Sequence, residues 1–269
     1  MLFVSVQSAY VVLLITLAAG LIKARIHTVK PDFLTQCQLT DPELNDCFGR
    51  NFQALFSEWN DDDTGLYSVG ALDPLFIKDL NIDHDLSPPV SIHANLHNLE
   101  VRGLGDIHVD HFSFDINKLI ATSTLVVPKL NINSDYSIKG RILSLALNGN
   151  GKAFIRADHL EIKLVMGFKL RDEDGFTFAD IEELYVDIKE VGGFGIRLDN
   201  LFHGHEVLEE SANAVFNDNW HEFYEILRPA IKVAIETIMT DRLSKLFSYI
   251  PATYFIEDIP TAANYNGWE

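Results

Sequence analysis

A run of apolar residues at helical spacing near the C-terminus sets the terms for the rest of this chain. Phe216, Trp220, Phe223, Leu227, Ile231, Ile235, Ile238, Leu243, Leu246 and Ile250 recur at steps of mostly three or four, and Val215, Tyr224, Ala230, Ala234, Met239 and Phe247 widen the stripe. The pattern predicts one helix from Glu209 to Ile250. At about 1.5 Å per residue it would run ~60 Å, roughly twice the diameter of a small domain, so the molecule holding it must be elongated. Pro229 has no N–H to donate and clashes with the preceding turn, which predicts a bend or break there. So wide a stripe needs cover on more than one side, and another element must curl around it.

The middle of the chain supplies that cover. From Leu160 to Leu170 the alternation is strict, with Leu160, Ile162, Leu164, Met166, Phe168 and Leu170 on one face and His159, Glu161, Lys163 and Lys169 on the other. Shorter patterns recur at Ile92–Leu96, Phe112–Ile116, Leu130–Ile138, Leu143–Leu147, Leu184–Ile188 and Phe194–Leu198. Turn signals separate them at Asn148-Gly149-Asn150-Gly151, Arg171-Asp172-Glu173-Asp174-Gly175 and Gly192-Gly193. This predicts an antiparallel meander with strands of up to about eleven residues, long enough to coil strongly. The fold class is therefore α+β, a long C-terminal helix wrapped by a strongly curved antiparallel sheet that forms a half-pipe around it.

Ala9 to Ile22 is apolar or small apart from Thr16, shorter than the ~20 residues of a membrane span, and is followed by small residues suited to cleavage. Residues 1–24 are expected to be a signal peptide and residues 25–269 a single secreted domain, monomeric and without stable membrane insertion, since no later segment is apolar and long enough to span. Cys37 and Cys47, the only two cysteines, are expected to pair in an oxidising compartment. Phe48, Phe52, Leu55, Phe56 and Trp59 then predict a short amphipathic helix within 33–59, tethered by that disulfide. Asn60-Asp61-Asp62-Asp63-Thr64-Gly65 ends it as an acidic turn; a calcium loop starting there would need Glu where Ala71 stands.

The formal charge of −18, from 39 acids against 21 bases, repels phosphate backbones and anionic headgroups and argues against nucleic-acid partners. Ten histidines include close pairs, but His93 and His97 on one strand would stand ~13 Å apart, and His203 with His205 lacks a third ligand nearby. There is no Gly-x-Ser-x-Gly elbow and no Walker loop, so neither an enzyme nor a cofactor is expected. The excess is apolar instead: 18 Phe, 8 Tyr and 3 Trp beneath a charged surface. Those side chains either fill a core or leave a cavity for a long lipid.

Several stretches resemble the Takeout and haemolymph juvenile-hormone-binding protein family of insects. They are the two early cysteines, Val69-Gly70-Ala71-Leu72-Asp73-Pro74-Leu75, Asn98-Leu99-Glu100-Val101-Arg102-Gly103-Leu104, Pro128-Lys129-Leu130 with Tyr136-Ser137-Ile138-Lys139-Gly140, Asn148-Gly149-Asn150-Gly151, and Asn200-Leu201-Phe202-His203-Gly204 followed by Asn213 and Phe216-Asn217-Asp218-Asn219-Trp220. The resemblance spans nearly all of 33–256 and implies a tubular lipid-binding fold whose internal tunnel takes terpenoid or fatty ligands without catalysis. Two features depart from it. The second disulfide common in the hormone carriers is missing, which favours the Takeout-like branch, and His203 and His205 stand where Asn and Asp are usual.

The expected function is a secreted carrier of a hydrophobic small molecule, held in an elongated void beside Trp220. Candidate lining residues are Phe112, Phe114, Tyr136, Met166, Phe168, Phe178, Phe216, Trp220, Phe223 and Leu227, with the Tyr136 hydroxyl offered to a ligand oxygen. Cys37 and Cys47 would hold the N-terminal helix over one mouth. The competing reading is the same fold with a filled core, acting on a receptor or another secreted protein through its acidic surface.

Overall fold

The computed structural model describes residues 29–59, 70–84, 90–142 and 145–265. The expected signal peptide and the acidic turn at Asn60–Gly65 lie outside the described residues. Helix α1, Leu44–Glu58, buries Cys47, Phe52, Leu55 and Phe56 along one face, as its spacing predicts. Six antiparallel strands follow: β1 Leu75–His84, β2 Val90–Arg102, β3 His108–Asp115, β4 Ile120–Ile142, β5 Leu145–Glu173 and β6 Phe176–Leu198. Their order is β1-β2-β4-β5-β6, with β3 on β4. β3 covers the first half of β4 and β2 its second half, so the sheet is a trough as long as its three longest strands.

Those strands hold 23, 29 and 23 residues, more than twice the expected length, because two of the sequence's turn signals are not turns. Asn148–Gly151 lies inside β5, paired with Lys139 to Tyr136 of β4. A Cβ at Gly149 would stand 2.5 Å from the Leu201 carbonyl oxygen and one at Gly151 2.2 Å from that of Asp199, so the glycines admit a crossing backbone. Gly192-Gly193 likewise lies within β6. Asp174-Gly175 is the true hairpin, with both residues at positive φ as a two-residue turn demands. Strand β1 escaped the pattern because Phe76 faces solvent while Leu75 is buried beside it.

A crease crosses the long strands. Pro128 of β4 stands opposite His159 of β5, which has φ +47°, and His159 stands opposite Gly192 of β6. Buried positions on β4 run Ala121, Ser123, Leu125, Val127 before it and Ser134, Tyr136 after it; on β5 they run Ala153, Ala157 before and Leu160, Ile162, Leu164, Met166 after. Each strand thus shifts its inward face by one residue at the same line, and the core divides there. Ile92, Ala94, Tyr136, Leu147, Ala153 and Leu198 pack with Phe216 and Phe223 on one side. The larger cluster, centred on Leu164, Met166 and Leu246, lies on the other.

The expected single rod is two helices, α2 Glu206–Asp218 and α3 Trp220–Tyr249. The break falls at Asn219 (φ −117°, ψ 33°), not at Pro229. The Asn219 amide donates back to the Val215 carbonyl at 2.9 Å, and its carbonyl accepts from Glu222 and Phe223, so one residue ends one helix and starts the next. Pro229 sits inside α3 on its exposed side, where the Glu225 carbonyl that loses its helical donor is open to water. Helix α3 runs along β6 and reaches β1, where Arg242 Nη2 donates to the Phe76 carbonyl at 3.2 Å. It therefore bridges the trough's two edge strands.

Side chains from the helices act as a substitute strand along β6. Asn213 accepts from Leu198 N–H and donates to its carbonyl, both at 3.0 Å, and Asn217 does the same for Ile196 at 3.0 and 2.9 Å. Arg228 donates to the Ile188 carbonyl at 2.6 Å and Glu236 accepts from Val186 N–H at 2.9 Å. An open sheet edge is a template for aggregation, and this ladder occupies it.

A candidate ligand cavity beneath the terminal cap

One end of the trough is closed by both ends of the described chain. Cys37 and Cys47 form the expected disulfide, with Cα atoms 6.0 Å apart. Cys37 N–H donates to the Phe255 carbonyl at 2.8 Å and its carbonyl accepts from Glu257 at 2.9 Å, a short parallel bridge between the two terminal segments. The buried Asn51 of α1 brackets Thr35, accepting at 2.8 Å and donating at 2.6 Å. Asp172, on the β5–β6 hairpin, accepts from Thr177 at 2.9 Å and from Ala262 and Ala263 at 3.1 and 3.4 Å. The Ala262 contact leads in holding its carboxyl below the usual range.

Under this cap lies a cavity of about 50 Å³. Its floor comes from the sheet (Phe112, Phe114, Ala121, Met166, Phe168) and from Leu119 in the β3–β4 turn, its side from Phe247 of α3, and its roof from Phe48 and Phe52 of α1 with Phe255, Ile256 and Ile259 of the tail. Every lining side chain is apolar. Phe48 stacks on Phe112 at 5.7 Å, and Phe247 links Phe168 and Phe255 at 5.3 and 5.8 Å. Such a wall offers no proton donor, acceptor or charge; it can only exclude water from an apolar guest.

Of the ten candidate lining residues, Phe112, Phe114, Met166 and Phe168 meet at this cavity. Phe178 is fully buried on the adjoining hairpin, beneath the Arg171 guanidinium at 4.5 Å. Tyr136, Phe216, Phe223 and Leu227 lie across the crease in the smaller core. Trp220 is half-buried against His221 and borders an open surface groove of about 630 Å³ with mixed walls, Arg156, Asp158 and Arg197 beside Phe154, Phe194 and Ile196. The elongated void expected beside Trp220 is thus replaced by that groove, and the apolar cavity lies at the capped end. The Tyr136 hydroxyl is already engaged, donating to the Asp199 carbonyl at 3.0 Å. Burial, reinforced by the charges of Glu209 and Asp199, raises its pKa.

The sequence places the helix of Phe48 and Phe52 over one mouth without naming either as lining, and gives no part in the lining to Phe255, Ile256 and Ile259. Only the cluster Tyr254-Phe255-Ile256 after Pro251 could have signalled them. Among the described residues no three or more His, Cys, Asp or Glu converge as a metal site, and no helix is long and apolar enough to cross a membrane. His97 instead meets Asp79 across the strand pair at 2.7 Å.

Comparison with known proteins gives one family match, to the model of the haemolymph juvenile hormone binding protein family, over residues 11–257. Two curated relatives, both circadian clock-controlled protein daywake, from Drosophila yakuba and Drosophila melanogaster, are each 26% identical over 148 residues. Those matches take in 54% of this chain and 56% of the relative, so the chain spans about half the length of the curated relatives it matches. The crystal structure of Epiphyas postvittana Takeout 1 superposes with a TM-score of 0.68 at 22% identity, covering 82% of this chain and 98% of that one. It shares the curled sheet and the C-terminal helix that spans it.

Proposed function

The chain belongs to the haemolymph juvenile hormone binding protein family, and on that premise we propose that it carries a hydrophobic small molecule between helix and sheet without transforming it. The ligand class is a juvenile-hormone-like terpenoid, a fatty acid or a similar lipid, and the chain acts as a secreted monomer, freed of residues 1–24. The observation that carries this reading is the wholly apolar cavity beneath the cap. Burying about fifteen carbons at ~0.8 kcal/mol per methylene gives ~12 kcal/mol gross, much of it consumed by ordering and immobilisation. Micromolar to nanomolar affinity follows without any charged contact.

The void of about 50 Å³ has room for roughly three or four waters, far below the several hundred Å³ of a typical ligand site. Entry must therefore widen it. On the sheet-facing side of α3, Leu227, Ile231, Ile235 and Met239 are only half-buried, so this side can yield once the Arg228 and Glu236 bonds to β6 give way. The same small volume favours the alternative, a filled interaction module working through its acidic surface.

Displacement of a fluorescent fatty probe by the purified chain, with native mass spectrometry of lipid-extracted and unextracted material, separates the two. Saturable uptake with one lipid per chain supports the carrier; no uptake by delipidated protein refutes it. Opening the disulfide with Cys47→Ser is expected to raise the probe's off-rate while leaving the sheet's circular dichroism unchanged, and an unchanged off-rate would remove the cap from the retention mechanism.

A further inference from the structure

Among the described residues, two buried side-chain oxygens have no hydrogen-bond partner, the hydroxyls of Ser123 and Ser134. Both belong to β4, and both occupy its inward-facing series, Ser123 between Ala121 and Leu125 and Ser134 just before Tyr136. An orphan hydroxyl in an apolar wall carries a desolvation penalty that alanine would avoid. Ser123 is 0% exposed and pairs across the sheet with Phe112 on one side and Leu164 on the other.

Its place relative to the cavity gives that penalty a purpose. Ala121 and Phe112 are walls of the void, and the void is too short for a lipid chain. A guest must extend it, and past Ala121 the next inward side chain on β4 is Ser123. We propose that the Ser123 hydroxyl is the polar anchor of the bore, donating a hydrogen bond to an oxygen of the bound molecule, so that the ligand is a neutral oxygen-bearing lipid such as an alcohol, ester or ketone. Plain hydrocarbon leaves the hydroxyl unpaired. A free carboxylate is disfavoured because the residues around Ser123 (Ala121, Leu125, Phe112 and Leu164) offer no cation, and a buried unpaired anion is expensive. This inference rests on the carrier reading and narrows its ligand class.

The test measures displacement of N-phenylnaphthylamine by dodecane, dodecanol, methyl laurate and laurate, on the full mature chain and its variants. Ser123→Ala is expected to weaken dodecanol and methyl laurate roughly five-fold relative to dodecane, the size of one ordinary hydrogen bond. Without ligand the same variant is expected to melt roughly 2–4 °C higher, because the orphan group is gone. Ser134→Ala serves as the internal control: eleven residues along β4, roughly 36 Å at strand rise, it lies beyond a dodecyl chain seated in the cavity and should leave the ratio unchanged. If the alanine variant is insoluble, Ser123→Cys, the same shape with a slightly larger atom, weakens the donor and should give the same ordering. Equal losses for dodecane and dodecanol, no loss for either, or a lower melting temperature would each overturn the assignment while the carrier reading stands. A wild-type chain that takes up none of the four compounds overturns both.

Discussion

Replacing Asn213 tests whether the helices hold the tube shut through side-chain amides or merely lie against it. In Asn213→Ala the Leu198 N–H and carbonyl each lose a partner at 3.0 Å. Two such bonds are worth about 1–3 kcal/mol net, and because Leu198 is only 6% exposed, water replaces them poorly and the upper half of that range applies. A loss of about 2–3 kcal/mol corresponds to a melting temperature roughly 5–10 °C lower for a chain of this size. Asn213→Asp sharpens the argument. It keeps an oxygen for the Leu198 N–H but sets a second carboxylate oxygen against the Leu198 carbonyl, where a donor is needed. At neutral pH it is expected to be no more stable than the alanine variant. A carboxylate facing a carbonyl favours its protonated form, so its folded pKa is raised; its contribution is present below the unfolded value and lost as pH rises through the folded one. The deficit should therefore shrink on acidification. Thermal melts at neutral pH and near pH 4, with hydrogen exchange at the Leu198 amide, read both effects. If both variants melt within about 1 °C of wild type, the ladder contributes nothing and α2 is held by its apolar face alone.

Three further outcomes are expected. Gly149→Ala places a Cβ 2.5–2.7 Å from three backbone atoms of Asn200 and Leu201, and a chemical melt should show a loss of about 2–3 kcal/mol, with unchanged stability meaning that the crossing loop is free to move. Tyr136→Phe removes the bond to the Asp199 carbonyl and should cost about 1 kcal/mol on thermal unfolding, while its lipid affinity stays within about two-fold of wild type; a larger affinity loss would return Tyr136 to the ligand site. The Asp172 carboxyl is held low by the Ala262 N–H first, so its contribution is present above about pH 4 and lost as pH falls through the lowered folded value. Hydrogen exchange over 258–265 should accelerate below that point in wild type, and Asp172→Asn should flatten the dependence.

What could be read from the sequence was periodicity, and what could not was where backbone meets backbone. Leu160–Leu170 shows its inward face without ambiguity, and Cys37 with Cys47 has no competing pairing. Gly149 and Gly151 mislead because a glycine that admits a neighbouring strand looks the same as one that makes a turn. Pro229 misleads because a proline on the solvent side of a helix leaves a carbonyl that water can satisfy, whereas Asn219 breaks the helix by bonding back to Val215, a choice that propensity alone does not decide. Asn213 and Asn217, four apart on one helix, are legible afterwards as a pair of brackets for residues two apart on a strand. The cavity was half legible: Phe112, Phe114, Met166 and Phe168 share it through strand pairing, but its roof comes from segments some two hundred residues apart in sequence, joined at Cys37 and Ile256.

The crease ties these features to the carrier reading. A continuous close-packed core resists opening because every methyl displaced loses contacts on all sides. Here the inward faces of β4 and β5 shift together at Pro128 and His159, and the interior separates into two clusters, with the half-buried Ile226 and Leu227 of α3 packed against the smaller and Ile231, Ile235 and Met239 against the larger. The helix is anchored by Asn217, just before it, to Ile196 and by Arg242 to Phe76, and its middle is tied to β6 through the Arg228 and Glu236 side chains, so parting it from the sheet costs those two bonds without unfolding either core. A guest seated under the cap would grow along β4 past Ala121 and Ser123 toward the crease where the two clusters divide, and the rearrangement would fall on the half-buried side of α3.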